Sequence, residues 1–531
     1  MAERIWLYDT TLRDGAQTQG VAFSVADKRR IARELDELGV DYIEGGWPGA
    51  NPTDDAFFPS APPFRRARLC AFGMTRRAGR SAANDPGLVG LYRSGAPVIT
   101  LVGKASPRHV AGALGVERDE NLRMIADSVA EARRHVEEVI LDAEHFFDGW
   151  KEDAAYALAC LQAALEAGAR WIVLCDTNGG TLPHEVEAAV SRVAGRIPPE
   201  KLGIHTHNDT ENAVANSLAA IRAGARHVQG TLNGLGERCG NANLVSLIPT
   251  LKLKLGYEVG VSDEALLHLT HLSRMFDEQL NRTPNRHAPY VGASAFAHKA
   301  GLHASAVAKD PRYYEHVDPA LVGNSRDVLV SDQAGRSNLL QRFAEMGLAI
   351  EPNADATAAI LALLKEREAG GYSYDGAAAS FELLVRRGLG QVPAFFELQS
   401  FRVMDEHRFN ALGQRVIQSE ATIKVTVGER RFHQVAEGNG PVNALDLALR
   451  AALSPIYPSL ERLRLVDYKV RILSPTAGTA AVTRVIIESE EEGRVWQTVG
   501  VSENIIEASF EALNDSITYK LLHDGAVLPA A

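Results

Sequence analysis

Leu-Gly-Ile-His-Thr-His-Asn-Asp, residues 202–209, is the stretch that indicates both the fold and the chemistry of this chain. Its apolar start is typical of a buried β-strand, and His205 and His207 follow at positions i and i+2. In a strand, such residues project from the same face about 6.5 Å apart, so both imidazoles can face one divalent cation. A His-x-His pair alone is a weak motif. Its position at the end of an apolar run suggests a metal site.

Similar apolar runs alternate with amphipathic stretches over about the first 270 residues, the pattern of parallel βα units. One intervening helix shows its start, because Ser24 and Asp27 have the spacing of a capping box. Eight βα units in this length predict a TIM barrel. The competing fold, a doubly wound parallel sheet, would carry Gly-x-Gly-x-x-Gly after an early strand, which we do not find. The predicted strands are residues 5–9, 42–44, 69–73, 98–102, 139–144, 171–177, 203–207 and 228–232.

Polar residues collect at the C-terminal ends of the predicted strands, where TIM barrels place their active sites. If polar residues were distributed at random, they would not follow the C-terminal end of a predicted strand so often. We therefore expect these side chains to converge at one mouth of the barrel. They are Asp9, Arg13, Asp14, Glu44, Asp142, Glu144, Asp176, Thr177, His205, His207, Asn233, Glu237, Arg238 and Asn241.

Asp14, His205 and His207 offer one carboxylate and two neutral nitrogen donors, and Asn241 could add an amide oxygen. Mixed nitrogen and oxygen ligands with positions left for substrate suit Mn²⁺, Mg²⁺, Co²⁺ or Zn²⁺ acting as a Lewis acid. The set lacks a thiolate, which argues against a closed structural zinc site.

Three further strand-end residues each have a catalytic and a structural interpretation. Arg13 could stabilise a developing oxyanion, or form a salt bridge with Glu44. Glu144 could be a general base or an ion-pair partner. Thr177 could donate a hydrogen bond to a substrate carboxylate or cap the next helix. Met74, after strand three, is a candidate wall of the substrate pocket.

The rest of the chain has a different pattern. Residues 276–375 are irregular with helical pieces, and 369–376 is typical of a linker. Beyond it, two stretches repeat a strand–strand–helix order, at 421–449 and 483–517. We predict a catalytic barrel at 1–275, helical linker or lid subdomains at 276–375, and a C-terminal α+β regulatory and dimerising domain with an internal repeat at 376–531.

The composition of the chain argues against several classes of protein. The net charge of −11 over 531 residues argues against nucleic-acid binding, whose footprint is basic. The four cysteines form no CxxC pair, so no disulfide framework is indicated. We find neither a secretory signal nor an apolar run long enough to span a membrane. The expected location is the cytoplasm.

Several motifs together resemble the family of 2-isopropylmalate, homocitrate and citramalate synthases. This likeness covers nearly the whole chain, since the C-terminal repeat resembles the family's domain that senses leucine or isoleucine. Within the family, residues 142–149, 176–183 and 298–305 are most similar to citramalate synthases. The family-wide motifs are Asp-Thr-Thr-Leu-Arg-Asp-Gly (9–15), His-Thr-His-Asn-Asp (205–209) and Asn-Gly-Leu-Gly-Glu-Arg-Cys-Gly-Asn (233–241).

The resemblance implies roles for individual residues. It implies metal ligation by Asp14, His205, His207 and Asn241. It further implies that Arg13, Glu144, His303 and Tyr314 are catalytic, and that Arg13, Asp142 and Thr177 bind substrate. The chain departs from the family pattern at Ala16, where many relatives carry Glu. Because Asp14 itself is present, this difference affects only the hydrogen bonds around Asp14.

The expected reaction is a Claisen-type condensation of acetyl-CoA, the co-substrate, with pyruvate, followed by thioester hydrolysis. The same likeness implies a homodimer inhibited by isoleucine, in a pathway of branched-chain amino-acid synthesis. Three alternatives stay open: another 2-oxo acid, as in 2-isopropylmalate or homocitrate synthases; an acyl-CoA lyase of the same barrel group; and a non-catalytic amino-acid sensor. A sensor would be expected to have lost the ligand residues, which are all present.

Overall fold

Eight parallel strands close into a barrel in the computed structural model, which describes residues 3–298, 306–307, 309–328, 354–374, 376–409, 411–413, 415–473 and 480–527. Neighbours in sequence are neighbours in the sheet, and β1 pairs with β8 to complete the ring. The predicted TIM barrel is confirmed. The strands are β1 (Trp6–Asp9), β2 (Tyr42–Gly46), β3 (Arg68–Met74), β4 (Val98–Lys104), β5 (Glu138–Glu144), β6 (Trp171–Asp176), β7 (Leu202–Thr206) and β8 (His227–Gly230).

All eight predicted strands are present, with differences at their ends. One matters for the site: β7 ends at Thr206, so the prediction that His207 lies in this strand is wrong. His207 instead forms an isolated antiparallel bridge with Asn241, because the loop after β8 folds back beside it. This bridge brings two predicted metal ligands together that are 34 positions apart in sequence.

Helices surround the barrel and begin where the sequence provides caps. The Ser24 hydroxyl accepts a hydrogen bond from the Asp27 backbone N–H, and Asp27 accepts one from the Ser24 N–H, so the predicted capping box is confirmed. The helices of this part are α1 (Val25–Leu38), α2 (Pro52–Ser60), α3 (Pro86–Arg93), α4 (Pro107–His109), α5 (Arg118–Ala132), α6 (Phe146–Glu166), α7 (Pro183–Ala194), α8 (Ala213–Arg222), α9 (Leu244–Pro249), α10 (Asp263–Leu266) and α11 (Leu269–Gln279).

Large side chains fill the lower part of the barrel interior. Tyr8, Tyr42 and Trp171 are essentially buried there, and His227 lies among their rings. A filled interior means that substrates can enter only from the polar mouth at the C-terminal ends of the strands.

The chain divides into two compact units, Met1–Phe276 with Pro284–Leu329, and Asp277–Thr283 with Val330–Ala531. Two two-residue strands, β9 (Ala297–His298) and β10 (Asp327–Val328), pair in parallel in the first unit. The second unit contains α12 (Ala354–Ala369) and α13 (Ala378–Gly388). The expected linker at 369–376 connects these two helices, and its Tyr374 is buried in their core.

The predicted internal repeat is confirmed, but each copy has three strands rather than two. Each copy is an antiparallel sheet followed by a helix packed on it. The missed strands are the first of each copy, where exposed polar and charged side chains mask the apolar alternation. The elements are β11 (Glu397–Phe409), β12 (Arg415–Val427), β13 (Arg430–Gly438) and α14 (Pro441–Leu453), then β14 (Arg464–Ile472), β15 (Thr483–Glu491), β16 (Arg494–Ser502) and α15 (Ile505–His523).

Within the described parts of the chain, none of the helices combines the length and apolar character that crossing a membrane would require.

Candidate active site

A cavity of about 280 Å³ opens at the C-terminal ends of the barrel strands. Its wall brings together side chains from strand ends and loops all around the barrel. Most of the predicted site residues are among them. The lining residues are Arg13, Asp14, Gln17, Trp47, Phe72, Met74, Val102, Lys104, Asp142, Glu144, Cys175, Thr177, His205, His207, Glu237 and Arg238.

Three predicted metal ligands converge on one point of this cavity. The Nε2 atoms of His205 and His207 lie 3.2 Å apart. Asp14 Oδ2 lies 3.4 Å from His205 Nε2. One ligand atom from each residue lies within 4.8 Å of the others, a spacing that one divalent cation can bridge. All three side chains are buried.

The protonation of this cluster also fits a cation. Burial and the neighbouring His205 lower the pKa of His207 to about 3, so its imidazole is neutral at physiological pH. Burial would raise the pKa of Asp14, but Arg13 and the two histidines outweigh it and lower that pKa below its ordinary value. A carboxylate and neutral imidazoles are the forms that bind metals.

Asn241, the fourth predicted ligand, lies beside this cluster, where it bridges to His207 and forms a side-chain hydrogen bond with Asp14. Its Nδ2 donates to the backbone oxygen of Leu235, 3.0 Å away, which orients the amide. Its buried Oδ1 has no hydrogen-bond partner among the described residues. A buried acceptor without a partner is costly unless something else satisfies it, and a cation held by Asp14 and the histidines would do so.

Arg13 is held in place from three sides. Its Nε donates to Glu44 Oε2 at 2.7 Å, and Nη1 lies 3.6 Å from Asp14 Oδ2. Its guanidinium carbon stacks 3.8 Å from the centre of the Phe72 ring. Glu44 is itself held by the Tyr8 hydroxyl, which donates to Oε1 at 2.6 Å. The salt bridge considered from the sequence is therefore present, and it positions Arg13 at the cavity wall.

Glu144 forms an ion pair with Lys104, so the structural alternative considered for Glu144 is present in the fold. The two residues are directly paired in register between β4 and β5. Both line the cavity, and 25% of the Glu144 side chain is exposed there. The cavity thus holds a lysine ammonium beside the predicted general base.

Thr177 is oriented by the residue after Glu144. Its Oγ1 accepts a hydrogen bond of 2.8 Å from the His145 backbone N–H, and His145 adopts a left-handed conformation with φ of 56°. This conformation is uncommon outside glycine. Since the Thr177 oxygen accepts from the backbone, its own proton remains available to a group in the cavity.

Asp142 lies in the cavity wall with only 4% exposure. Burial, reinforced by the charge of Glu44, raises the pKa of Asp142 to about 8, so this carboxyl holds its proton near neutral pH. Its Oδ1 accepts a 2.9 Å hydrogen bond from Gln229 Nε2. Gln229 in turn contacts His205 Nδ1 at 2.7 Å.

Two site residues predicted from the family resemblance lie after the barrel. His303 is outside the described residues. Tyr314 follows a short 3₁₀ helix, Pro311–Tyr313, with 44% exposure, and is not among the described residues that line the cavity.

Sequence reasoning missed Lys104 and Gln229. Lys104 ends β4, two residues beyond the predicted strand, and including it among strand-end polar residues would have found it. Gln229 interrupts an apolar run in β8. It lies two residues after His227 and therefore on the same face of the strand. A polar residue at an inward-facing strand position is the signal that was available.

Comparison with known proteins gives matches along nearly the whole chain. Residues 4–272 match the HMGL-like family, 290–368 the homocitrate synthase post-HMGL domain-like family, and 375–521 the LeuA allosteric (dimerisation) domain. The (R)-citramalate synthase of Aquifex aeolicus is 51% identical over 99% of both chains. The chain belongs to the (R)-citramalate synthase family. The (R)-citramalate synthase of Geobacter sulfurreducens is 52% identical over 97% of both chains. Among solved structures, a Bacillus subtilis HMG-CoA lyase covers 53% of this chain and 95% of its own, with a TM-score of 0.46 and 20% identity.

Family membership confirms the resemblance noted in the sequence. The family condenses acetyl-CoA with a 2-oxo acid, and HMGL-like enzymes use a divalent metal. The matched C-terminal domain is an allosteric one, which agrees with the regulatory domain predicted from the repeat.

Proposed function

We propose that this chain is an (R)-citramalate synthase that condenses acetyl-CoA with pyruvate and hydrolyses the thioester, releasing (R)-citramalate and CoA. The reaction transfers an acetyl group that becomes an alkyl group in the product. The convergence of Asp14, His205 and His207 at the barrel mouth is the observation that carries the proposal. Relatives with this name, about half identical over nearly the full length, support it.

Asp14, His205, His207 and Asn241 would hold the divalent metal, with Mn²⁺, Mg²⁺, Co²⁺ and Zn²⁺ all compatible with these donors. When bound, such an ion polarises the keto group of the 2-oxo acid as a Lewis acid. The ligands come from the ends of three adjacent strands, β7, β8 and β1, so the rest of the barrel mouth is left open for substrate.

Arg13 stabilises the negative charge that develops on the keto oxygen during carbon–carbon bond formation. A guanidinium has five N–H donors, and Glu44 engages Nε. Nη1 also faces Asp14 at 3.6 Å, and the guanidinium can donate to an oxyanion in the cavity that it lines. Because Glu44 and Phe72 already fix the guanidinium, little reorganisation is needed at the moment of reaction.

Glu144 removes a proton from the methyl group of acetyl-CoA, with His303 as the alternative base. The ammonium of Lys104 next to Glu144 balances the charge of this partly exposed carboxylate and can donate to a thioester oxygen. Thr177 donates to the carboxylate of the 2-oxo acid, and Asp142, a protonated carboxyl at neutral pH, borders the same space. Tyr314 remains a candidate on the family resemblance alone.

Pyruvate is the proposed 2-oxo acid because apolar side chains form part of the wall of the cavity that holds the predicted metal ligands. Phe72, Met74 and Val102 line it together. A single methylene changes binding in an apolar pocket by only about 1–3 kcal/mol, so steric exclusion of larger chains is the more effective selection.

The test is a thiol-release assay for CoA with pyruvate, 2-oxobutyrate, 2-oxoisovalerate and 2-oxoglutarate. We expect pyruvate to give the highest kcat/KM. A preference for 2-oxoisovalerate or 2-oxoglutarate would reassign the chain to 2-isopropylmalate or homocitrate synthesis. Cleavage of an acyl-CoA without condensation would point to a lyase. Arg13→Lys is a matched variant, because it keeps the positive charge but loses the planar donors and should be slow with every substrate.

The proposal extends to regulation. The match to the LeuA allosteric (dimerisation) domain supports a homodimer with an allosteric effector, and the family resemblance makes isoleucine the proposed inhibitor. Light scattering of the full-length chain should give twice the mass of the 531-residue protomer. Isoleucine should inhibit CoA release more strongly than leucine or valine, and equal inhibition by all three would contradict the proposed effector.

A further inference from the structure

A buried glutamine lies inside the barrel directly behind the metal-ligand cluster. Gln229, in β8, is 1% exposed and reaches toward the cluster from below. One layer deeper, neither ring nitrogen of His227 has a hydrogen-bond partner among the described residues. Burying a primary amide in such surroundings costs folding free energy unless both its oxygen and its nitrogen are hydrogen-bonded.

Both ends of the Gln229 amide are in fact engaged. Nε2 donates to Asp142 Oδ1 at 2.9 Å, and Oε1 lies 2.7 Å from His205 Nδ1. The Asp142 bond orients the amide. It does so in either ionisation state, because a carboxyl protonated on Oδ2 still accepts through Oδ1.

This orientation decides which nitrogen of His205 carries the proton. An amide oxygen only accepts hydrogen bonds, so Nδ1 of His205 must be the donor. In a neutral imidazole the other nitrogen then carries the lone pair. That nitrogen is Nε2, the atom that lies 3.2 Å from His207 Nε2 and 3.4 Å from Asp14.

We propose that Gln229, itself oriented by Asp142, is a positioning residue that holds His205 in the Nδ1–H tautomer and thereby presents Nε2 as a metal ligand. This inference rests on the metal site of the proposed function. Gln229 is not among the described residues that line the cavity, and it acts through His205. The partner on the second imidazole nitrogen commonly sets the orientation and basicity of a histidine ligand.

The first experiment measures Mn²⁺ binding to the metal-stripped, full-length protein by calorimetry. Gln229→Met keeps the length of the side chain but removes both hydrogen bonds. We expect Mn²⁺ to bind about 10–100-fold more weakly, the usual effect of removing a partner behind a metal ligand. Gln229→Glu keeps an acceptor in front of His205 Nδ1 and should retain most of the wild-type affinity.

Asn324→Leu is the matched control. Asn324 is another buried amide, whose Nδ2 donates to the backbone oxygens of Tyr290 and Gly292 rather than to a ligand side chain. Its loss should lower thermal stability without changing Mn²⁺ affinity. Equal Mn²⁺ affinity in wild type and Gln229→Met would overturn the inference, as would equal weakening in Gln229→Met and Gln229→Glu.

A second measurement needs no variant at Gln229. Nitrogen-15 histidine NMR of the metal-free protein, with His205 assigned by its absence in His205→Gln, should show the proton on Nδ1. A proton on Nε2 would refute the inference whatever the variants do. If the wild type binds no Mn²⁺ at all, the proposed metal site itself fails; if it binds while the NMR and variants disagree with expectation, only the role of Gln229 fails.

Discussion

Lowering the pH from 8 to 5 should destabilise the barrel through one buried histidine. His227 has no exposed surface, and its ring centre lies 5.4, 5.7 and 4.9 Å from those of Tyr8, Tyr42 and Trp171. Burial, with smaller contributions from the charges of Arg170 and His205, lowers the pKa of His227 from 6.5 to about 3. The folded protein therefore keeps this ring neutral where an unfolded chain would protonate it.

The size of the effect follows from linkage. Because the pKa is lower in the folded state, the unfolded state binds more protons between pH 3 and pH 6.5, and stability falls as the pH drops through this window. At pH 5, which is 1.5 units below the unfolded pKa, His227 alone should cost about 2 kcal/mol relative to pH 8. The cost should reach about 4 kcal/mol at pH 3.

Urea unfolding of the wild type and His227→Leu at both pH values measures this cost. Tryptophan fluorescence follows the barrel, because Trp6, Trp47, Trp150 and Trp171 lie in its unit and only Trp496 lies in the other. The packing cost of the substitution is the same at both pH values and cancels when the two pH-dependent losses are compared. We expect the wild type to lose about 2 kcal/mol more than the variant.

Two features sharpen that comparison. His207, whose pKa is also lowered, is present in both proteins and so drops out of the difference. His184→Leu, at an exposed position on α7, should leave the pH dependence of the wild type unchanged. If His227→Leu loses as much stability as the wild type between pH 8 and pH 5, the ring is not kept neutral by burial and the reasoning is wrong.

Three further outcomes concern the cavity. His207→Ala should abolish Mn²⁺ binding and CoA release while the circular dichroism spectrum is unchanged; full activity after chelation would remove the metal mechanism. Glu144→Gln should lower kcat about 10²–10⁴-fold with little change in pyruvate binding, as expected for loss of a general base, and a near-normal rate would transfer that role to His303. Thr177→Val should raise the KM for pyruvate about 10-fold or more, the usual cost of losing a hydrogen bond to a charged group, and an unchanged KM would leave Thr177 a structural role only.

The fold could be predicted from local patterns. Each barrel strand is a short apolar run, and alternation with amphipathic helices specifies parallel pairing. The first strands of the two C-terminal repeats cannot be recognised from the sequence, because their solvent-exposed faces carry charges. For β11 and β14, burial depends on which helix covers the sheet, and that cannot be deduced from the strand alone.

The site could be predicted in part. The position of a polar residue at the end of a strand identifies it as a candidate site residue, but it does not show which side chain it will pair with. Asp14, His205 and His207 were identified, and the structure places them together. Glu44 was expected as a possible partner of Arg13, and it holds that side chain. Lys104 was not anticipated beside Glu144, because a pairing across two strands requires the register between them.

The order of apolar and polar residues by itself determined that this chain forms a barrel with a polar mouth. Side-chain alternation along a strand follows from local backbone geometry, and polar residues that follow the strands come together at the C-terminal mouth of the barrel. Only the tertiary structure decided how the polar groups are paired. The sequence marks Gln229 only as a polar residue in a buried strand, and closure of the barrel brings it between Asp142 and His205. Hydrogen bonds are directional and short, so contacts of this kind depend on placement to within fractions of an ångström.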